Sequence, residues 1–273
     1  MPDSTQKRPL YLCGGLQGSG SSLVSWSFLQ RQDMNGVFDT AHDMVPILPE
    51  LPASIRTWCK ITTCCFRTSE LKDYYASLGW AVVPILITRD VREVWSSLQD
   101  KQYGRNATTA EDPPLRLRML RFLSDWENAV RGDWTTVRYE SLISQPRQTL
   151  MATCRALEIP WDQGMIDWPK ERSQIADARY GNVNFLASRT NGLMETLDPK
   201  YAGQLKGAIA EADLQWLEET FAKYNIACGY AEKRTPPASP RGYAVADFNA
   251  SRRSEWTRKP ASQTWLHRIG LRR

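Results

Sequence analysis

The residue run AVVPILIT, from Ala81 to Thr88, constrains the fold of this 273-residue chain more than any other segment. A continuous apolar run of this kind is typical of a strand that is buried on both faces, as in a parallel sheet covered by helices. Pro84 weakens the pattern, because a proline in a central strand removes one hydrogen bond from the ladder. The run still predicts a strand inside an α/β domain.

Shorter strand and helix patterns alternate along the chain on both sides of this run, as they do in parallel sheets with crossover helices. Besides 81–88, the patterns predict strands at 10–13, 37–38, 56–61 and 134–139. Helices are predicted at 21–29, 69–78, 89–98, 114–131, 146–157 and 199–224. We therefore expect an α/β domain over 1–230, a parallel sheet flanked by helices, followed by a basic C-terminal extension over 231–273.

A loop rich in glycine and serine joins the first predicted strand to the first predicted helix. Such a loop turns its backbone N–H groups inward, and the helix N-terminus adds partial positive charge, so the loop favours an anion. Its spacing is similar to that of a Walker A phosphate loop, but Ser21 stands where the lysine of ATP-hydrolysing enzymes would be. A P-loop kinase or other nucleotide-binding enzyme is therefore an alternative rather than the first choice. The candidate phosphate-binding residues are Gly18, Ser19, Gly20, Ser21 and Ser22.

A second candidate anion site follows the 81–88 strand. Arg89 stands at the strand end and Ser97 comes eight residues later, a little over two helical turns, so both side chains can converge on one phosphate. Arg89 would supply a planar, charge-assisted fork and Ser97 a hydroxyl donor, with Ser96 as a possible substitute.

Four segments, in this order, resemble the sulfotransferases that use 3′-phosphoadenylyl sulfate (PAPS). Residues 18–22 (GSGSS) are similar to the family's "KSGTT" or "RSGTS" loop, and residues 58–62 (WCKIT) to its "KTH" strand end. Residues 89–98 are similar to its 3′-phosphate segment, although Val91 replaces the usual proline. Residues 137–142 (VRYESL), with a proline shortly after, are similar to its "YEDL…P" segment. The resemblance covers about 10–157 and continues more weakly to 230.

The resemblance implies a P-loop-like sulfotransferase fold and an enzyme that moves a sulfuryl group from PAPS to a hydroxyl or amine. The acceptor would be a small molecule or a carbohydrate, and the product nucleotide would be 3′,5′-adenosine bisphosphate. The family needs no metal. Residues 18–22 would bind the 5′-phosphosulfate, and Arg89 and Ser97 the 3′-phosphate.

Two departures from the family pattern affect catalysis. Gly18 stands where the family has a lysine or arginine beside the sulfuryl group, and Thr62 where many members have the catalytic histidine. We expect Lys60 to supply the missing positive charge and His42 to act as the base, with Asp39 or Asp43 as alternatives. These departures leave a second interpretation open, namely that the chain is a catalytically inactive, sulfotransferase-like binding protein.

Composition and charge bear on partners and location. The six cysteines form no CxxC pair and the histidines number two, so the sequence predicts no metal site and suggests the reduced thiols of a cytoplasmic protein. No stretch approaches the roughly 20 apolar residues of a membrane span. The net charge of +5 arises from the segment after position 232. This basic segment is either a solvated extension or an arm that folds over an anionic ligand. The body has no basic stripe, so we expect no nucleic-acid partner; the sequence carries no signal for an oligomeric state.

Overall fold

Five parallel strands form the sheet of this protein: β1 (Pro9–Gly15), β2 (Met34–Val37), β3 (Arg56–Lys60), β4 (Ala81–Thr88) and β5 (Thr135–Arg138). Their order across the sheet is β2-β3-β1-β4-β5. The computed structural model describes residues 7–40, 42, 44–99, 115–177, 185, 192–198, 203, 205 and 208–230. Within them the predicted α/β fold, a parallel sheet flanked by helices, is confirmed. The basic extension over 231–273 lies outside the described residues.

Helices connect and cover the strands. A 3₁₀ turn, Arg172–Gln174, accompanies them. In chain order the helices are α1 (Ser21–Leu29), α2 (Thr68–Ser77), α3 (Val91–Gln99), α4 (Leu115–Arg131), α5 (Tyr139–Ser144), α6 (Pro146–Ala156), α7 (Gly164–Asp167), α8 (Leu193–Thr196), α9 (Glu211–Thr220) and α10 (Ala222–Ala227). Among the helices that the structure describes, none has both the length and the apolar character needed to cross a membrane.

The 81–88 run is a strand with the predicted bounds, and it pairs with β1 from Ala81 to Ile87. Pro84 lies before the part of β4 that pairs with β5, which begins at Ile85. At Pro84 one side of β4 is therefore not paired with β5, and a proline is tolerated at such an edge position because no ladder hydrogen bond is needed on that side. The buried half of the strand alternates between faces: Ile85 and Ile87 pack with the α1 and α6 side of the core, and Leu86 with the α3 and α4 side.

Aromatic side chains fill the α1 face of the sheet. The rings of Phe28 and Trp58 stack with centroids 4.5 Å apart, and the rings of Trp26 and Phe38 meet edge to face at 5.0 Å. Each of these four side chains is fully buried. This packing fixes α1 against β2 and β3, and it therefore fixes the loop from which α1 begins.

Two of the predicted helices differ from the structure. The helix predicted from Arg89 begins instead at Val91, and Arg89 and Asp90 lie between the end of β4 and that helix. The single helix predicted over 199–224 was wrong: within the described residues α9 ends at Thr220 and α10 begins at Ala222. Phe221 separates them because its backbone leaves the helical region and its ring is fully buried.

Candidate functional site

The predicted site residues gather at the carboxyl ends of the central strands. In an open parallel sheet this edge is where ligands bind, because the strand ends and the following loops surround a crevice. The loop over 16–20 follows β1, Arg89 follows β4, and Lys60 ends β3. Thr63 N–H donates to Gly15 O at 2.9 Å, so the chain after β3 continues beside the start of the loop.

Two glycines shape the loop between β1 and α1. Gly18 has φ 82° and Gly20 has φ 91°, in the left-handed region that favours glycine. A Cβ on Gly20 would also lie 2.3 Å from Cδ2 of Tyr139, so no larger residue fits there. The loop ends at Ser21, the first residue of α1, with Ser22 next in that first turn.

Ser19 carries a polar atom for which the fold supplies no partner. Its side chain is 1% exposed, and its Oγ makes no hydrogen bond within the described residues. A buried hydroxyl without a partner costs free energy, about 1–3 kcal/mol. The neighbouring Gln17 Oε1 is also buried without a partner in that part of the chain. Ser19 Oγ and Gln17 Oε1 therefore have hydrogen-bonding capacity that the described residues leave unused.

Arg89 links the loop to the strand end that precedes α3. Its Nη1 donates to Gly18 O at 2.8 Å, while Nε and Nη2 donate to Glu93 Oε2 at 3.0 and 2.7 Å. The guanidinium lies over the Tyr139 ring, 4.2 Å from the centroid. Arg89 is 7% exposed, so a buried cation lies directly beside the glycine-rich loop.

Ser97 reaches the same point from α3. A Cβ on Gly18 would lie 3.5 Å from Ser97 Oγ, and Ser97 is 2% exposed. Ser96 is equally buried. The structure thus brings Arg89, Ser97 and the loop together at Gly18, so donors from two segments of the sequence surround one small region.

Two residues that hold Arg89 in place were missed in the sequence. Glu93 accepts from Arg89 and, through Oε1, from Gly203 N–H at 2.7 Å; burial raises the pKa of this carboxyl, against the opposing effect of Arg89. The Tyr224 hydroxyl accepts from Arg89 N–H at 3.1 Å and donates to Arg89 O at 2.8 Å. The i,i+4 spacing of Arg89 and Glu93 was a signal that could have identified Glu93. No sequence signal pointed to Tyr224.

Lys60 lies at the other side of β1 from Arg89. Its Nζ contacts Asp39 Oδ1 at 2.5 Å, and the Lys60 side chain is 3% exposed. The Lys60 ammonium therefore lies next to Asp39, at the ends of β3 and β2, and its described contacts do not include Gly18. Asp39, one of the alternative bases, is therefore occupied with neutralising Lys60.

His42 lines a small pocket next to these strand ends. Thr62, the residue at the family's usual histidine position, lines the same pocket, as do Thr40, Ile61 and Phe66. His42 is thus close to the position where the resemblance places a catalytic imidazole. Asp43, the other alternative base, lies outside the described residues.

None of the six cysteines, all of which lie within the described residues, forms a disulfide, and five of them are buried. Burial raises the pKa of the Cys13 thiol to about 12, although Ser25 and Lys60 oppose the shift. Cys13 is therefore a neutral core thiol at the end of β1 and takes no part in the chemistry of the site.

Two solved structures match this chain over most of its length. The sulfotransferase domain of the Synechococcus PCC 7002 olefin synthase is 18% identical, with a TM-score of 0.51, and the match covers 81% of this chain and 97% of that domain. The sulfotransferase domain from the curacin biosynthetic pathway is 13% identical, with a TM-score of 0.54 and coverages of 80% and 99%. No protein-family profile and no curated protein matches the chain. At these identities the likeness is one of fold.

Proposed function

We propose that this chain, which has the sulfotransferase fold, transfers a sulfuryl group from PAPS to a hydroxyl or amine of a small-molecule or carbohydrate acceptor. The observation that carries the proposal is the meeting of Arg89, Ser97 and the phosphate loop at Gly18. A nucleotide with anionic groups at both its 5′ and 3′ positions needs two anion sites close together. Few other nucleotides would make use of both.

The loop fits the 5′-phosphosulfate. Gly18 and Gly20 allow the backbone to turn, and α1 begins at Ser21 with its N-terminal N–H groups unpaired within the helix. The buried Ser19 Oγ would gain the partner that the protein does not provide. These features support binding of a dianionic group at this position.

Arg89 and Ser97 fit the 3′-phosphate. A guanidinium that is already buried and oriented by Glu93 and Tyr139 has little rotamer freedom left to lose when a phosphate binds. Ser97 adds a neutral donor on the same side of Gly18. The charge-assisted contact from Arg89 should contribute more than the contact from Ser97.

PAPS would supply an activated sulfuryl group, and the leaving group would be 3′,5′-adenosine bisphosphate. We assign to Lys60 the stabilisation of negative charge that the family's loop lysine provides, since Gly18 has no side chain. We assign to His42 the acceptance of the proton from the acceptor hydroxyl or amine, because it shares a pocket with Thr62. Asp39 would hold the Lys60 ammonium in position. No metal is required by these roles.

The proposal is tested by calorimetric titration of the full chain with 3′,5′-adenosine bisphosphate, 5′-AMP and ATP–Mg²⁺. We expect the bisphosphate to bind most tightly, because 5′-AMP leaves Arg89 and Ser97 without their phosphate. At 100 times its Kd it should stabilise the fold by about 2.7 kcal/mol. Equal affinity for the bisphosphate and 5′-AMP would refute the proposal, and preference for ATP–Mg²⁺ would favour a kinase-like enzyme. Tight bisphosphate binding without turnover of any acceptor would favour an inactive binding protein.

A further inference from the structure

We propose that His42, Cys64 and Cys65 form a binding site for a thiophilic divalent metal ion such as Zn²⁺. One potential ligand atom from each of the three side chains lies within 4.8 Å of the other two. Around a tetrahedral Zn²⁺, with Zn–S about 2.3 Å and Zn–N about 2.0 Å, neighbouring ligand atoms lie about 3.5–3.8 Å apart. Each pair of ligand atoms therefore needs to approach by at most about 1.3 Å to bind one ion.

The two cysteines are held in a fixed turn. A bridge between Thr63 and Phe66 closes the turn, and Cys64 N–H donates to Phe66 O at 3.2 Å. From α4, Arg121 Nη2 donates to Cys65 O at 2.7 Å. Cys64 and Cys65 are 1% and 3% exposed. A rigid pair of ligands loses little freedom when a metal binds, so the turn is suited to that role.

A buried cation lies beside the turn. Arg121 is 1% exposed, and its Nη2 is the atom that donates to Cys65 O. Glu70, 3.2 Å from Arg121 Nη2, offsets part of its charge. Two thiolates and one neutral imidazole would balance a divalent ion, as a largely buried site requires.

Three protein ligands leave one position of a tetrahedral ion for water or another small ligand. His42 lines the small pocket, and Met44 and Thr62 line it too, so a further ligand has space beside the ion. The sequence showed no metal-binding spacing because the cysteines are adjacent and His42 lies 22 residues before Cys64. The fold alone brings them together.

One consequence rests on the proposed function. If His42 is the base, a metal ion on its ring nitrogen prevents it from accepting the acceptor's proton, so Zn²⁺ would inhibit sulfuryl transfer without occupying the nucleotide site. The metal site itself does not depend on this role.

The test uses the full chain, reduced and freed of metal with a chelator, titrated with Co²⁺ and then Zn²⁺. We expect one equivalent of Co²⁺ to produce a sulfur-to-cobalt charge-transfer band and the intense visible bands of a tetrahedral complex, and Zn²⁺ to abolish both. Mutating a residue that only hydrogen-bonds to a metal ligand already lowers metal affinity about 10- to 100-fold. Cys64→Ser, Cys65→Ser and His42→Gln should therefore weaken binding at least about 100-fold.

Cys228→Ser is the matched control, because Cys228 is a partly exposed free thiol on another element. It should leave the spectrum and the affinity unchanged. Absence of the charge-transfer band in the wild type would overturn the proposal, as would equal affinities for Cys64→Ser and Cys228→Ser. X-ray absorption of the wild-type Zn²⁺ complex should give two sulfur ligands and a histidine nitrogen, and any other set overturns the proposal even if a variant does not fold. Titration of the same sample with 3′,5′-adenosine bisphosphate tests nucleotide binding independently, so that failure of the proposed function can be distinguished from failure of the metal site.

Discussion

Replacing Arg89 with alanine tests the proposed nucleotide site most directly. A hydrogen bond to a charged group contributes about 1.5–3 kcal/mol, and a neutral one about 1 kcal/mol. Since about 1.4 kcal/mol is tenfold in Kd, Arg89→Ala should weaken binding of 3′,5′-adenosine bisphosphate about 10- to 150-fold. Ser97→Ala should weaken it about 5-fold. Affinity for 5′-AMP should change little in either variant.

The ion pair between Arg89 and Glu93 complicates the simple substitution. The two side chains are 8% and 6% exposed, and removing one partner of a buried pair costs about 3–5 kcal/mol because the other charge is left unpaired. The cleaner comparison is therefore the full double-mutant cycle of Arg89→Ala and Glu93→Gln, measured by calorimetry. Arg92→Ala is the matched control, since its guanidinium pairs with Asp90 at 2.6 Å instead.

Two results would refute the reasoning. In the first, the double variant binds the bisphosphate as tightly as Glu93→Gln. In the second, binding falls equally for the bisphosphate and 5′-AMP, which would mean that Arg89 supports the loop through its bond to Gly18 O and does not contact a 3′-phosphate.

Three further predictions concern catalysis and stability. Once an acceptor is known, His42→Ala should leave nucleotide affinity nearly intact and lower turnover about 10²–10⁴-fold, whereas Lys60→Ala should lower both the affinity and the turnover. Calorimetry measures the affinity and initial rates measure the turnover. Near wild-type turnover of His42→Ala would remove His42 from the mechanism. Gly20→Ala should lower the melting temperature and the nucleotide affinity, because its φ is 91° and its Cβ would meet Tyr139; an unchanged melting curve would contradict the loop conformation. Asp125→Ala should destabilise the fold by about 2–4 kcal/mol in urea, because its carboxylate accepts from two backbone N–H groups at the start of α2; a loss below 1 kcal/mol would contradict that role.

Local patterns made most of the fold predictable. The apolar run of β4 and the glycine-rich loop each depend on neighbouring residues, and so their elements were predicted to within a few positions. The helix predicted over 199–224 was wrong because the backbone at Phe221, with φ −101° and ψ 15°, leaves the helical region between α9 and α10. A backbone change at a single residue leaves no mark on the periodicity.

The same division applies to the candidate site. Arg89 and Ser97 belong to one short segment, so their spacing could be interpreted from the sequence. The contacts of Arg89 with Tyr224, and the approach of His42 to Cys64, join residues far apart in the chain and arise only when the sheet has formed. Such contacts have no spacing rule, so no sequence pattern could indicate them.

The hydrogen bonds between the Tyr224 hydroxyl and the backbone of Arg89 also bear on how the protein is made. They join positions 135 residues apart. A ribosome adds about 5–20 residues per second, so roughly 7–27 s separate the synthesis of the two partners. During that interval β1 and β4 can already pair, while the backbone at Arg89 still lacks its tyrosine. The nascent chain would thus form its sheet before the proposed anion site, and a nucleotide bound at that site would stabilise only a chain that has been synthesised past Tyr224.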